Sequence, residues 1–168
     1  SESFSEGVDY EIIDDQLIIK DGVSEIPEHT FSDRAGITSV ILPKSLKKIG
    51  NYAFNNMRLK SLSFEGEDLI SGEANINADL EIGEYAFRDN DFEKVNFKNV
   101  KTIKKGAFSN NELTDITFDD SILEIGDRAF YQNNLTEVKI PNSVTSYGNE
   151  IFFYNNRYVK LITDNKNV

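Results

Sequence analysis

The feature that most constrains this chain is a period. An Ala-Phe pair recurs with Phe at 54, 87, 108 and 130, and Thr30-Phe31 and Ile151-Phe152 stand in the same column at the two ends. The Phe-to-Phe steps are 23, 33, 21, 22 and 22 residues. The unit is therefore about 22 residues long, and one of six copies carries about eleven more. That excess falls between Phe64 and Ile82, in EGEDLISGEANINADLE, an acidic run with little pattern that reads as an excursion between repeats.

Each unit has a fixed grammar. A large apolar residue follows the Phe by five positions at Leu59, Phe92, Leu113 and Leu135, and by six at Ile37 and Tyr158 in the end copies. Next come Val40, Leu62, Val95, Ile116, Val138 and Leu161, and two residues beyond them Leu42, Phe64, Phe97, Phe118 and Ile140. A spacing of two puts both side chains on one face of an extended segment, so VIL, VNF, ITF and VKI read as short strands. A further mark at Leu46, Val100, Ile122 and Val144 precedes Ile49, Ile103, Ile125 and Tyr147 by three. The Asn, Asp or Glu ahead of Ala-Phe in GNYAF, GEYAF and GDRAF predicts one capped helical turn there.

A 22-residue piece with five or six apolar marks encloses nothing alone. Copies laid side by side bury the columns against their equals and pair each strand with its neighbour. Each buried Leu, Ile or Phe gives roughly 1.5–3 kcal/mol, against about 1–2 kcal/mol of backbone ordering per residue, so several adjoining copies are needed. The small Ala at 53, 86, 107 and 129 suits tight stacking beside the Phe. An Asn stands three residues past the Phe at 90, 111, 133 and 155, where an inward amide would satisfy the backbones of adjacent coils.

The run I-G-x-x-A-F-x-x-N-x-L-x-x-V-x-I-P-x-S-V-T, complete from Ile125 to Thr145, resembles the BspA-type bacterial leucine-rich repeat, and the resemblance covers about residues 26–163. The fold expected is α/β, mainly β: a right-handed parallel leucine-rich-repeat solenoid of six repeats, with short strands and single helical turns. Residues 1–25, alternating around Asp14-Asp15, are expected to form an N-terminal β-hairpin cap. The repeats occupy 26–163 with the insertion at 65–81, and 164–168 is a polar tail, all in one structural domain. Phe152, Phe153, Tyr154 and Tyr158 are expected to cap the last coil, with a truncated chain or a contact with another chain as the alternative. The resemblance further implies an exported or surface-attached bacterial protein that binds other molecules, often in adhesion, with no shared catalytic residues.

Charge and composition narrow the partners. Against 18 basic residues stand 29 acidic ones, a net charge of −11 that repels phosphate backbones and anionic lipid. No nucleic-acid partner is expected. No apolar run approaches the roughly 20 residues of a membrane span, so no membrane insertion is expected of this segment, and SESFSEGVDY lacks the basic-then-apolar pattern of a signal peptide. The absence of Cys excludes disulfides, thiolate metal sites and Cys nucleophiles. A monomer without cofactor, recognising a protein or a glycan, is the reading that results.

No catalytic residue is assigned. His29 is the only His and lies in the repeat's turn, and pairs such as Asp14-Asp15 and Asp119-Asp120 are best read as solvated turn formers. Two rivals stay in view: a glycosidase-like enzyme using acidic residues of the insertion, and a structural spacer. Glu67, Asp68, Glu73 and Asp79 supply the hard oxygens that calcium favours, although no ligand spacing matches a known loop. Two ladders present recognition candidates. One is the outward face of the strands: Ser39 and Ile41, Ser61 and Ser63, Lys94 and Asn96, Asp115 and Thr117, Glu137 and Lys139, Lys160 and Ile162. The other is the residue before Ala-Phe: His29, Tyr52, Tyr85, Gly106, Arg128 and Glu150. Tyr offers contact area and a hydroxyl at small entropic cost, and packing between coils is its competing role.

Overall fold

The structure, a computed structural model, describes residues 3–168. The chain opens with a hairpin, β1 (Tyr10–Ile13) antiparallel to β2 (Gln16–Ile19), turned at Asp14 with φ of 55°. From there the chain winds in coils, each laying down one longer strand and one two-residue strand. The longer ones are β4 (Ser39–Leu42), β6 (Ser61–Phe64), β7 (Glu73–Asn77), β9 (Lys94–Lys98), β11 (Asp115–Thr117), β13 (Glu137–Lys139) and β15 (Lys160–Ile162). The short ones are β3 (Glu25–Ile26), β5 (Lys48–Ile49), β8 (Glu81–Ile82), β10 (Thr102–Ile103), β12 (Glu124–Ile125) and β14 (Ser146–Tyr147). The period of two is obeyed: Val40 and Leu42, Leu62 and Phe64, Val95 and Phe97, and Val138 and Ile140 are buried, while Phe118 and Leu161 are partly buried against the core.

Neighbouring coils pair in parallel. The main sheet runs β1-β2-β4-β6-β7-β9-β11, with β13-β15 beyond it, while β3-β5-β8 and β10-β12-β14 line a second side. Because β2 is in parallel register with β4, Leu17 against Val40, the second arm of the hairpin is also the first rung of the solenoid. Phe4 and Tyr10 pack on Phe31, with centroids 5.9 and 4.9 Å away, and close that end of the core.

The Phe residues form one row through the core. Phe31, Phe54, Phe87, Phe108, Phe130 and Phe152 stack in sequence at 5.2–6.0 Å with planes within 16°. Beside the row the Asn column closes the backbone. The Asn133 side chain accepts from Leu113 N–H at 3.0 Å and donates to the Phe108 carbonyl at 3.0 Å, and Asn90, Asn111 and Asn155 repeat the pattern one coil apart.

The expected helical turn at Ala-Phe does not form. Tyr52, Phe54 and Asn56 donate their N–H groups to Glu84, Ala86 and Arg88 of the next coil at 2.8–3.0 Å, while Ala53 and Asn55 donate within their own turn. Alternate donors thus leave the segment, which a helix forbids. The residue before each Ala-Phe is left-handed, with φ between 54° and 62° at His29, Tyr52, Tyr85, Gly106, Arg128 and Glu150. Five of the six accept the cost that a side chain carries there, held by the bonds between coils.

The insertion also departs from its reading as an excursion. Residues 73–77 form β7, which inserts in the main sheet between β6 and β9 and buries Ala74 and Ile76 in the core. To start β7 parallel to β6 the chain must travel back along the strand, and the inner side is filled by Leu62, Phe64 and the Phe row. Ser61 and Ser63, expected to face solvent, are 8% and 0% exposed, and Ser39 beside them is buried too. The return of 65–72 therefore runs on the outer side of the sheet.

Candidate functional site

The strand ladder is interrupted where sequence alternation made it continuous. Lys94 faces Asp115 in register and pairs with it at 3.5 Å, and Asn96 donates to Asn75 of the added strand at 2.8 Å. Thr117, Glu137 and Lys139 are exposed on β11 and β13. These polar side chains are engaged with one another or separate, and the three serines at 39, 61 and 63 lie under cover.

The acidic residues of the insertion do not converge. Glu67 accepts from the Asn77 amide at 2.5 Å, Asp79 pairs with Lys101 at 3.6 Å, Asp68 points to solvent and Glu73 is half-buried on β7. Among the described residues no group of three or more His, Asp or Glu side chains lies close enough to hold a metal ion, so the calcium reading of Glu67, Asp68, Glu73 and Asp79 finds no assembled site. Physically, only Glu73 of the four lies on β7, and the strand stands between the turn that holds Glu67 and Asp68 and the one that holds Asp79. Glu65, at the mouth of the insertion, has its carboxyl raised by the hydrogen bond and charge of Asp21.

The turn ladder, by contrast, is assembled. His29 stacks on Tyr52 at 4.8 Å with planes 6° apart, and Tyr52 stacks on Tyr85 at 5.1 Å. The Arg88 guanidinium lies over both tyrosines, 5.5 and 5.3 Å from their centroids, and is fixed by a 3.0 Å bond to Asn55. The two tyrosines are half-buried and outside the hydrophobic core cluster. The row stops at Gly106. A Cβ there would overlap the Tyr85 ring, which leans across the vacant rung. Beyond it Arg128 donates to Glu150 at 2.7 Å, which raises the guanidinium further, and covers Tyr131 at 5.4 Å. A cavity of about 290 Å³ opens between these groups, lined by Tyr85, Arg88, Asp89, Asn110, Arg128 and Tyr131 among others.

His29, Tyr52, Tyr85 and Arg128 were legible in sequence as one column. Arg88 and Tyr131 were not, because each stands three residues past its ladder residue, off the column, and joins it only through side-chain packing over Tyr52 and Tyr85 or under Arg128. A second cavity, about 380 Å³, lies at the last coil between Tyr147, Phe152 and Leu161. The aromatic cap expected there is corrected: Phe152 joins the Phe row, but Phe153, Tyr154 and Tyr158 are exposed, Tyr158 at 79%. Short turns give the rings no path back over the coil. The tail docks instead through Asn165, which donates to the Pro141 and Val144 carbonyls at 3.0 and 2.8 Å.

Comparison with known proteins agrees with this architecture. No curated protein matches the sequence. Among solved structures, the fold is similar to that of a leucine-rich cell surface protein from Faecalibacterium prausnitzii A2-165, with a TM-score of 0.54 and 21% identity over 99% of this chain and 55% of that one. It is also similar to the pneumococcal vaccine antigen PcpA, with a TM-score of 0.64 and 23% identity over 91% of this chain and 38% of that one. The chain spans about half of the first and under two fifths of the second. The profile described as the BspA type leucine rich repeat region matches residues 11–75 and 80–168 as six copies. With the repeats, the Phe row and the parallel ladders in agreement, the chain belongs to the BspA-type leucine-rich repeat family.

Proposed function

We propose that the chain is a non-catalytic recognition module of an exported or cell-surface bacterial protein, and that it engages a protein or glycan through the tyrosine edge rather than the strand face. The carrying observation is the row His29, Tyr52 and Tyr85, stacked at 4.8 and 5.1 Å, half-buried or exposed and apart from the core. Rings that the core does not use, held rigid before any partner arrives, lose little entropy on binding. The strand face lacks aromatic anchors and is crossed by the insertion. A surface location is consistent with the two similar structures, one a cell surface protein and the other a vaccine antigen.

The test is a screen of the whole chain against host matrix proteins and glycan arrays, repeated with Tyr52→Ala and Tyr85→Ala. Ligand binding should weaken roughly tenfold or more in each variant, the scale of an aromatic contact residue. Variants that melt earlier yet bind unchanged would show that the row serves packing alone.

A further inference from the structure

Gly106 is the one glycine in the turn ladder, and its backbone does not require it. Its φ of 62° is shared by His29, Tyr52, Tyr85, Arg128 and Glu150, all of which carry side chains in the same conformation. What sets the position apart is space: a side chain would strike the Tyr85 ring. Tyr52 covers one face of Tyr85, the ring leans over Gly106, and the 290 Å³ cavity opens beside it, lined by Tyr85 and by side chains of the next coils. We infer that the cavity beside this filled rung is a binding notch for one uncharged pyranose ring of a glycan, packed against the part of Tyr85 that lines it and hydrogen-bonded at its rim; this rests on the recognition role proposed above.

The lining selects that chemistry. An aromatic face meets the C–H face of a sugar, while amide, carboxylate and guanidinium groups meet its hydroxyls. Asn110 and Gln132 supply amides, Asp89 a carboxylate already bonded to Asn110, and Tyr131 the opposite wall. Both cations are already offset: Arg88 lies 3.6 Å from Asp89 and Arg128 2.7 Å from Glu150. No unbalanced positive charge is left for a sialic or uronic acid, and the chain's net charge of −11 repels one. The volume stands near the low end for small-molecule sites, roughly 300 Å³, which suits a single ring and a weak contact repeated along a polymer.

The isotope-labelled chain would be titrated, by amide NMR, with methyl glycosides of glucose, galactose, mannose and N-acetylglucosamine, and with glucuronic and N-acetylneuraminic acids as charged probes. The expected result is a shift of the Gly106, Asn110 and Gln132 amides by at least one neutral glycoside, at a Kd of about 1 mM or weaker. Gly106→Ala should weaken it roughly tenfold or more, and so should Gln132→Ala, an exposed substitution that leaves the fold intact if the first variant does not fold. Silence from every neutral glycoside, shifts that persist in both variants, or equal binding of the acids would overturn the notch. An array ligand lost in Tyr52→Ala but kept in Gly106→Ala would also overturn it while leaving the tyrosine edge standing. The absence of any ligand in either experiment overturns the recognition role itself.

Discussion

Asn133 shows how much one buried residue settles in a repeat of this kind. Its amide serves Leu113 N–H in one coil and the Phe108 and Phe130 carbonyls beside it, at 3.0 to 3.1 Å. Replacing it with Ala orphans a buried donor and at least one acceptor, each about 1–3 kcal/mol, so Asn133→Ala should lower unfolding free energy by about 2–4 kcal/mol in urea melts. Tyr147 gives a pH-dependent counterpart. Burial pushes its phenol up to about 12 from the ordinary value near 10. Between those values the unfolded chain has released the proton and the folded chain has kept it, so stability falls as pH rises from about 10 to about 12. Tyr147→Phe should make that alkaline decline shallower, as followed by circular dichroism. The Asn column was readable in sequence because an amide at a fixed offset from each Phe has one geometric use. The Gly106 notch was not, since the lean of Tyr85 across it is a property of side-chain packing that no spacing encodes.

At the scale of elements, alternation identified the strands because each buries one face and repeats its partners. The turn at Ala-Phe was misread as helical because capping residues suit both a helix start and a turn. The hydrogen bonds to the next coil, long-range in sequence, decide between them. The insertion was misread for a related reason: ANIN holds only Ala74 and Ile76 as inward marks, too few to signal a strand until β9 lies beside them. Deleting residues 65–76 joins Phe64 to Asn77 and restores a step of 21 residues, the step from Phe87 to Phe108. The shortened chain should fold with β6 directly against β9, losing at most about 3 kcal/mol with the burial of Ile76. A crystal structure of the variant would check the new pairing, and a chain that fails to fold would show that β7 is indispensable to the sheet.

For the molecule as a whole, charge is the term set by no single element. The ion pairs among the described residues, Lys94–Asp115 and Arg128–Glu150 included, lie on exposed or partly exposed side chains and contribute little each. The net charge of −11 therefore acts mainly as self-repulsion. Raising sodium chloride from about 0.01 to about 0.15 M shortens the Debye length from about 30 to 8 Å and should raise the melting temperature by a few degrees, measured by calorimetry.

Strand β7 stands between β6 and β9, so on the sheet side those two lie two strand spacings apart, about 9.6 Å. Across the core, Phe54 and Phe87 remain 5.3 Å apart. Register joins β7 to β9 along five residue pairs but to β6 at one. The rod thus has a knuckle: a lightly sewn seam on one flank and an unbroken aromatic pivot on the other. Tension along its axis would splay the flank at β6 and swing the hairpin end away from the Gly106 coil, altering the angle at which the two portions meet a surface without parting either one.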